Sequence, residues 1–348
     1  MKKMLFKILI LIKSVVRLII NKQIFWVFNL VETRNRYSMN ALFSGVKFNN
    51  QEKDVVHNFR RNIHRIEKGL SYQKLKNTFA TDYILETVNY LKILKDSTNP
   101  DANTITWGEA VLEKYFQTCE QTIEIEQANN IYKNLKLINS QPDWCPYTEK
   151  LRPPLSITYE AIYQLALRRR SIRYYIDKIV EVDLIEKAMK VAALSPSACN
   201  RQAFKFLFYN EKPIVNQIAQ IPGGVSGYTV PSIIVVIGCY GGYFDERDIN
   251  APIIDSSLAT MSFILALETL GLSSVCINWP NLPDRDQKIR KLIHLEKDEF
   301  VVMLIGVGYP DPEGKIPYSA KKEVQKLILS NNVLAETIGE IRTSQITS

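Results

Sequence analysis

The sequence has few of the residues from which metal sites and disulfide frameworks are built. It contains five cysteines and three histidines among 348 residues. The cysteines are odd in number, no two of them form a CxxC pair, and the histidines are scattered. A disulfide framework, a zinc ribbon, an iron–sulfur cluster and a histidine-rich centre are therefore not expected. We predict reduced thiols, a cytoplasmic protein and no metal.

The sequence also lacks a dinucleotide fingerprint and a long apolar run at its start. No GxGxxG motif follows a predicted strand, so a Rossmann domain is not expected. Within residues 1–30 the basic residues Lys7, Lys13, Arg17 and Lys22 interrupt the apolar stretch. The uninterrupted apolar stretch is therefore shorter than the roughly 20 residues needed to cross a bilayer, and no small-residue signal-peptide cleavage site follows it.

Residues 1–30 are instead predicted to form an amphipathic basic helix, in which polar and apolar residues separate imperfectly. The polar side carries Lys2, Lys3, Lys13, Arg17 and Asn21, and the apolar side carries Leu5, Ile8, Ile12, Val16 and Ile19. Such helices usually pack against their own domain or a partner subunit. The same pattern suits a peripheral contact with an anionic membrane surface, here the inner face of the membrane. Both interpretations stay open.

Positive charge is present in excess. Forty-four Lys and Arg against 36 Asp and Glu give a net charge of +8. This balance permits a nucleic acid, a membrane surface or a phosphorylated cofactor as partner, and does not choose among them. No helix-turn-helix or aromatic RNA-binding signature is present, so a nucleic-acid partner is not expected.

Residues 31–155 are predicted to form a helical extension that ends in a linker. One buried stripe recurs at 3-4-3-4 spacing, which is typical of a helix. The stripe consists of Val56, Phe59, Ile63, Ile66 and Leu70. Further helices are predicted over 82–94 and 110–130, and the proline-containing stretch 141–154 is predicted to be the linker.

His64 and Glu67 are three residues apart on the first of these helices and can meet on one face. Such a pair could transfer a proton. A salt-bridge network is the more frequent explanation of a run this rich in charge.

From residue 156 the pattern becomes an alternation of helices and strands. Helices are predicted over 157–168, 182–194 and 251–270, with Asp183 as an N-cap and Gly271 as a terminator. Strands are predicted over 204–209, 232–237, 275–278 and 300–307. The second of these is apolar throughout after its serine, as a strand buried on both faces should be. An α+β sandwich with a buried sheet is therefore expected over 156–330, followed by a tail over 331–348.

Two polar clusters suggest chemistry. Four arginines and a serine lie within residues 168–173, and guanidinium forks beside a hydroxyl suit a phosphate. The loop 195–203 carries Asn200 and Gln202, whose paired amides suit an imide-like edge or a sugar hydroxyl. Each cluster also fits a solvated face or an ordinary capped loop. Cys199 has no histidine near it in sequence, so a structural thiol is expected there.

These clusters resemble segments of the FMN-dependent nitroreductase family. The same order and spacing continue in Gly271–Ile277, in Leu304–Pro310 and in the basic Lys321. The resemblance covers roughly residues 157–330. It implies a central, mostly antiparallel sheet flanked by helices. The helical extension is similar to those on members from bacterial polysaccharide gene clusters, which suggests a link to polysaccharide biosynthesis.

The resemblance implies a set of site residues. Arg169, Arg170, Ser171, Arg173 and Lys321 correspond to positions around the FMN phosphate and ring edge. Pro196, Ser197 and Ala198 correspond to a loop that a second subunit lays against the flavin. Asn200 corresponds to a side chain that contacts the ring or the ribityl chain, and Gln202 is a further cofactor-binding candidate. Ile277 and Asn278 correspond to a strand end whose backbone N–H approaches flavin N5. Candidates for the substrate pocket are Tyr228, Tyr243, Phe244 and Trp279.

The resemblance further implies a homodimer with the flavin at its interface, built largely on the long helix that begins near Asp255. NAD(P)H would pass hydride to flavin N5, and a small organic acceptor would then take its place in a ping-pong cycle. No side chain is assigned as a catalytic acid or base, because flavin N5 would carry out the chemistry. The alternative is a flavin-binding or degenerate, non-catalytic scaffold that associates with membrane glycan-assembly machinery.

Overall fold

The computed structural model describes residues 52–99, 101–136, 143–225, 227–243, 248–280 and 282–328. The helix predicted over 1–30 and the tail over 331–348 lie outside these ranges. The chain divides into two compact units, residues 1–314 and 315–348. Within the first unit a helical bundle precedes an α+β sandwich.

Among the described residues, four α-helices with one shared core make up the bundle. They are α1 (Glu52–Leu70), α2 (Ile84–Lys95), α3 (Ala102–Thr118) and α4 (Ile123–Lys133). The predicted stripe is confirmed at Phe59, Ile63 and Ile66, which are fully buried in this core. Its first buried member is Val55, since Val56 is only partly buried, like Leu70.

The single helix predicted over 110–130 is wrong, because the structure has two helices there. Cys119 adopts an extended conformation after α3, and Thr122 then caps α4 by accepting a hydrogen bond from the Ile125 N–H. A hydroxyl at an N-cap satisfies an N–H that the first turn leaves free. Thr122, as a typical N-cap residue, therefore indicates the start of α4 in the sequence.

The described part of the predicted linker, residues 143–154, is non-helical apart from a short 3-10 turn at Glu149–Leu151. The sandwich that follows has five helices and four strands among its described residues. The helices are α5 (Tyr159–Arg168), α6 (Val182–Ala192), α7 (Lys212–Gln220), α8 (Ala251–Thr269) and α9 (Pro283–Ile293). The strands are β1 (Phe204–Tyr209), β2 (Ser232–Cys239), β3 (Ser273–Asn278) and β4 (Glu299–Gly308).

The strands form one antiparallel sheet in the order β1-β2-β4-β3. Strand β2 is buried along its whole length. Ile233 and Val235 pack in the core that includes α7 and α9, whereas Ile234 and Val236 pack in the core that includes α6 and α8. Alternate side chains of a strand point to opposite faces, so the predicted sandwich of helices around a buried sheet is confirmed.

Helix α8 ends where its glycine predicts. Gly271 has a φ of 77°, and its N–H bonds to the Glu268 carbonyl while the Leu272 N–H bonds to that of Leu267. This pair of bonds is a Schellman C-cap, which needs a left-handed residue. Among the described helices, α8 is long and apolar enough to cross a membrane, but 56% of its apolar stretch is buried inside the protein.

The N-cap predicted for α6 is wrong by two residues. The capping position is Glu181, and Asp183 lies in the first turn. There its carboxylate accepts a hydrogen bond from Lys187 at 3.2 Å. An acidic residue in the first turn also complements the helix dipole, so an aspartate is favoured both at the N-cap and in the first turn.

Candidate functional site

The arginine segment, defined as residues 168–173, runs along the edge of β3 that faces away from β4. After α5 ends, the Ile172 N–H bonds to the Ser274 carbonyl at 3.0 Å, and the Ile176 N–H bonds to that of Tyr309 at 3.1 Å. The chain is therefore extended here, and backbone pairing fixes its position. The segment places Arg169, Arg170, Ser171 and Arg173 on one sheet edge, all of them half-buried.

Arg173 lies beside the loop 222–228. Its Nη1 donates to the Ser171 carbonyl at 3.2 Å, and its guanidinium carbon lies 5.9 Å from the centre of the Tyr228 ring. A Cβ on Gly224 of the same loop would lie 4.0 Å from Ile277. Three of the predicted residues, Arg173, Tyr228 and Ile277, therefore gather at the β3 edge.

Sequence reasoning missed Glu268, which lies under the arginine segment near the end of α8. Its carboxylate is buried and pairs with Arg168 at 3.5 Å. Burial raises the pKa of Glu268, while Ser273, Arg168 and Arg169 act to lower it. A buried charge is tolerated when it is paired, so the carboxylate holds Arg168, the first of these arginines, near the end of α8. Its signal in the sequence is an acidic residue near the end of a mostly apolar helix.

The second cluster is a loop with a strained backbone, here called the cofactor loop after the role that the resemblance implies for it, and defined as residues 197–202. Cys199, Asn200 and Gln202 have φ values of 53°, 52° and 53°. The left-handed region costs a non-glycine residue roughly 1 kcal/mol or more. The Gln202 N–H bonds to the Ser197 hydroxyl at 3.1 Å, and its side-chain amide donates to that of Asn200 at 2.9 Å. The paired amides predicted from the sequence are thus adjacent.

Asp255 anchors the cofactor loop from helix α8. Its Oδ2 accepts from the Ala198 N–H at 2.9 Å and from the Tyr243 hydroxyl at 2.6 Å. Burial and the hydrogen bond to Asp255 raise the pKa of Tyr243. Tyr243, predicted as a pocket residue, is therefore a buried support of the loop in this chain.

Helix α1 of the bundle also contacts the cofactor loop. The Arg60 Nε donates to the Asn200 carbonyl at 2.9 Å, and the His57 Nδ1 lies 3.2 Å from the Arg201 carbonyl oxygen. Neither residue was predicted as part of a site. The pattern of α1 shows which face is apolar, but not which element the other face meets.

The two clusters lie at opposite edges of the sheet. The cofactor loop leads into β1, whereas the arginine segment pairs with β3. Three strand spacings separate these edge strands, which is about 14 Å. A single chain therefore divides the predicted flavin residues into two halves that it does not bring together.

The remaining predicted residues are dispersed. Asn278 is exposed at the end of β3, and the indole of Trp279 donates to Asp286 at 2.8 Å. Pro196 is exposed beside the cofactor loop, and Lys321 is exposed in the second unit. Phe244 lies outside the described residues.

The His64–Glu67 pair lies within the bundle. The two side chains are 3.5 Å apart, and the Trp107 indole donates to the other Glu67 oxygen at 3.2 Å. Both carboxylate oxygens are thus engaged by neighbouring side chains, which favours the salt-bridge network over proton transfer.

The second half of the chain is similar to known proteins. The model of the nitroreductase family matches residues 166–221 and 226–309. A candidate NADH dehydrogenase/NAD(P)H nitroreductase of Archaeoglobus fulgidus is 26% identical over 155 residues, which are 44% of this chain and 88% of that protein. A protein of the same description from Methanothermobacter thermautotrophicus is 29% identical over 143 residues, 41% of this chain and 73% of that protein. The solved structure of an FMN-dependent nitroreductase from Clostridium difficile R20291 covers 48% of this chain and 98% of its own, at 27% identity and a TM-score of 0.41.

Proposed function

We propose that this protein is an oxidoreductase of the nitroreductase family that binds FMN and uses NAD(P)H to reduce a small organic acceptor, because the family model matches residues 166–221 and 226–309. The observation that carries the proposal is the half-buried arginine segment, fixed by backbone pairing along the edge of β3 that faces away from β4. The NAD(P)H part is supported by the descriptions of the two archaeal relatives.

The residues at the β3 edge fit an FMN molecule. A phosphate needs fixed cationic and hydroxyl donors, and Arg169, Arg170 and Ser171 supply both types in a half-buried position. A positive charge such as that of Arg173 stabilises an anionic reduced flavin ring. Bound FMN would supply the hydride chemistry, while these side chains would bind and orient it.

We infer that the working form is a homodimer. Helix α5 has no buried residue, and α8 exposes Ile254, Leu258 and Met261 at a spacing of four and three residues. These three residues form one apolar stripe, which typically marks a surface that a partner covers. A second copy seated on this stripe would supply its cofactor loop to the other chain's arginine segment. Such an arrangement would unite the two halves that a single chain keeps apart.

The test of the function is the colour and redox behaviour of the full-length protein. We expect a yellow protein that contains FMN, and we expect NADH or NADPH to bleach the flavin absorbance without oxygen. A small acceptor should then restore the colour. Protein that is colourless and fails to take up added FMN would contradict the proposal.

The same experiment separates the enzyme from the scaffold alternative. A scaffold would bind FMN that dithionite bleaches but that neither nicotinamide cofactor reduces. A screen of acceptors against the reduced protein would then identify the substrate class, including any acceptor from polysaccharide assembly.

We also propose that the protein is cytoplasmic and that residues 1–30 bring it to the inner face of the membrane. Anionic liposomes should retain the full chain and lose a variant that lacks residues 1–30. Equal binding of both would contradict the membrane contact, and it would leave the FMN proposal unaffected.

A further inference from the structure

Two side chains of helix α1 hold consecutive carbonyl groups of the cofactor loop. Arg60 donates through Nε to the Asn200 carbonyl at 2.9 Å. One turn earlier, the His57 ring nitrogen Nδ1 lies 3.2 Å from the Arg201 carbonyl oxygen. One face of a bundle helix therefore contacts the part of the loop where the backbone is left-handed.

Arg60 is itself held firmly by the bundle. Its side chain is buried, with the residue only 9% exposed, and its Nη1 donates to the Thr104 hydroxyl. Thr104 donates in turn to Asp101, the N-cap of α3, at 2.6 Å. The guanidinium also lies 5.2 Å from the Trp107 ring. A donor fixed in this way presents its N–H to the loop in one orientation.

A closely packed turn also lies between the bundle and the residue that follows the loop. A Cβ on Gly242 would lie 2.2 Å from the Ala203 Cβ and 3.4 Å from the His57 ring. The turn at Tyr240–Gly242 therefore packs closely against Ala203, directly after the cofactor loop, and against α1. A shift of α1 would be transmitted to the loop.

We propose that Arg60 is a positioning residue for the cofactor loop, so that the helical bundle sets the geometry with which the loop meets the flavin. The effect of this role on the flavin rests on the proposed function, because it requires the loop to contact FMN. The bundle lies before residue 166, where the match to the family model begins. The role therefore belongs to the extension of this chain.

The direct test needs no flavin. The variant Arg60→Met has an unbranched apolar side chain of similar reach and lacks the guanidinium hydrogen-bond donors. In this variant we expect faster amide hydrogen exchange at residues 200–202 of the full-length protein. The matched control is Lys95→Met, which removes the partner of buried Glu109 inside the same bundle, away from the loop. Unchanged exchange in Arg60→Met, or equal acceleration in both variants, would overturn the positioning role.

The functional test is an FMN titration of the same variants below their unfolding temperatures. We expect Arg60→Met to weaken FMN binding about tenfold, as the loss of a charge-assisted hydrogen bond typically does. Lys95→Met should bind like the wild type, and Arg60→Lys, which keeps one donor, should fall between. Equal affinity of wild type and Arg60→Met would overturn the effect on the flavin. If the wild type binds no FMN, the proposed function fails, and the exchange experiment still decides the role of Arg60.

Discussion

The two edges of the sheet hold their candidate site residues by different means. At the β3 edge, a backbone hydrogen bond to Ser274 fixes the arginine segment, and a second bond, from Ile176 to Tyr309 just after β4, fixes the chain that follows it. At the β1 edge, side chains from distant elements hold the cofactor loop: Arg60 and His57 from α1, and Asp255 from α8. Backbone pairing tolerates changes in side chains, whereas a strained loop depends on particular ones. Substitutions at the β1 edge should therefore reduce both the stability of the protein and its FMN affinity, whereas substitutions at the β3 edge should reduce only the FMN affinity.

The largest effect should come from breaking the proposed dimer, because this would separate the cofactor loop of one chain from the arginine segment of the other. Leu258→Arg places a charge in the centre of the apolar stripe on α8, where Leu258 is 43% exposed. We expect a monomer in analytical ultracentrifugation and FMN affinity reduced by about 100-fold, since a buried charge at an interface core is strongly unfavourable.

The matched control for Leu258→Arg is Ile93→Arg, because Ile93 is 47% exposed on bundle helix α2. It should leave both the oligomeric state and FMN binding unchanged. A monomeric Leu258→Arg that binds FMN as tightly as the wild type would show that one chain is sufficient.

The next effect should appear at the β1 edge. Asp255→Ala leaves the Ala198 N–H and the Tyr243 hydroxyl without their acceptor in a buried position. We expect the free energy of unfolding to fall by about 3 kcal/mol, and FMN affinity to fall with it. Urea denaturation and FMN titration measure the two quantities.

Asp183→Ala serves as the control for Asp255→Ala, because its exposed pair with Lys187 contributes about 0.5 kcal/mol or less. If Asp255→Ala is as mild as its control, the cofactor loop does not depend on side-chain anchors.

At the β3 edge the expected effect is confined to binding. Arg169→Gln removes a cationic donor and leaves the backbone pairing of the segment in place. We expect FMN affinity to fall about tenfold, with a free energy of unfolding within about 0.5 kcal/mol of the wild type. Arg152→Gln, in the exposed pair with Glu149 before the sandwich, should bind FMN normally. A large loss of stability in Arg169→Gln would remove the distinction between the two edges.

The smallest effect should come from relieving strain in the cofactor loop. Cys199 has a φ of 53°, which glycine adopts without a steric penalty. We expect Cys199→Gly to raise the free energy of unfolding by about 0.5 kcal/mol, because relief of strain exceeds the entropy cost of glycine. Ala193→Gly, at a right-handed helix end, should instead lower it by a similar amount. A destabilised Cys199→Gly would indicate that the thiol contributes contacts of its own.

Local patterns predicted much of the fold. The stripe Phe59, Ile63 and Ile66 indicated α1, and the apolar run of β2 indicated a strand buried on both faces. The capping residue of α6 was misassigned because an aspartate suits both the N-cap and the first turn, and Asp183 lies in the first turn. The break between α3 and α4 was missed because both helices carry apolar residues at similar spacing.

The sequence by itself determined most of the elements, though not helices α7 and α9, together with the family resemblance and the chemical character of both clusters, because periodicity, turn residues and donor types are local properties. Only the tertiary structure decided that the clusters lie at opposite sheet edges, that Glu268 lies under the arginine segment, and that Arg60 and Asp255 hold the cofactor loop. These are contacts between residues far apart in the chain. Their partners depend on the packing of helices against the sheet, which no spacing within one element encodes.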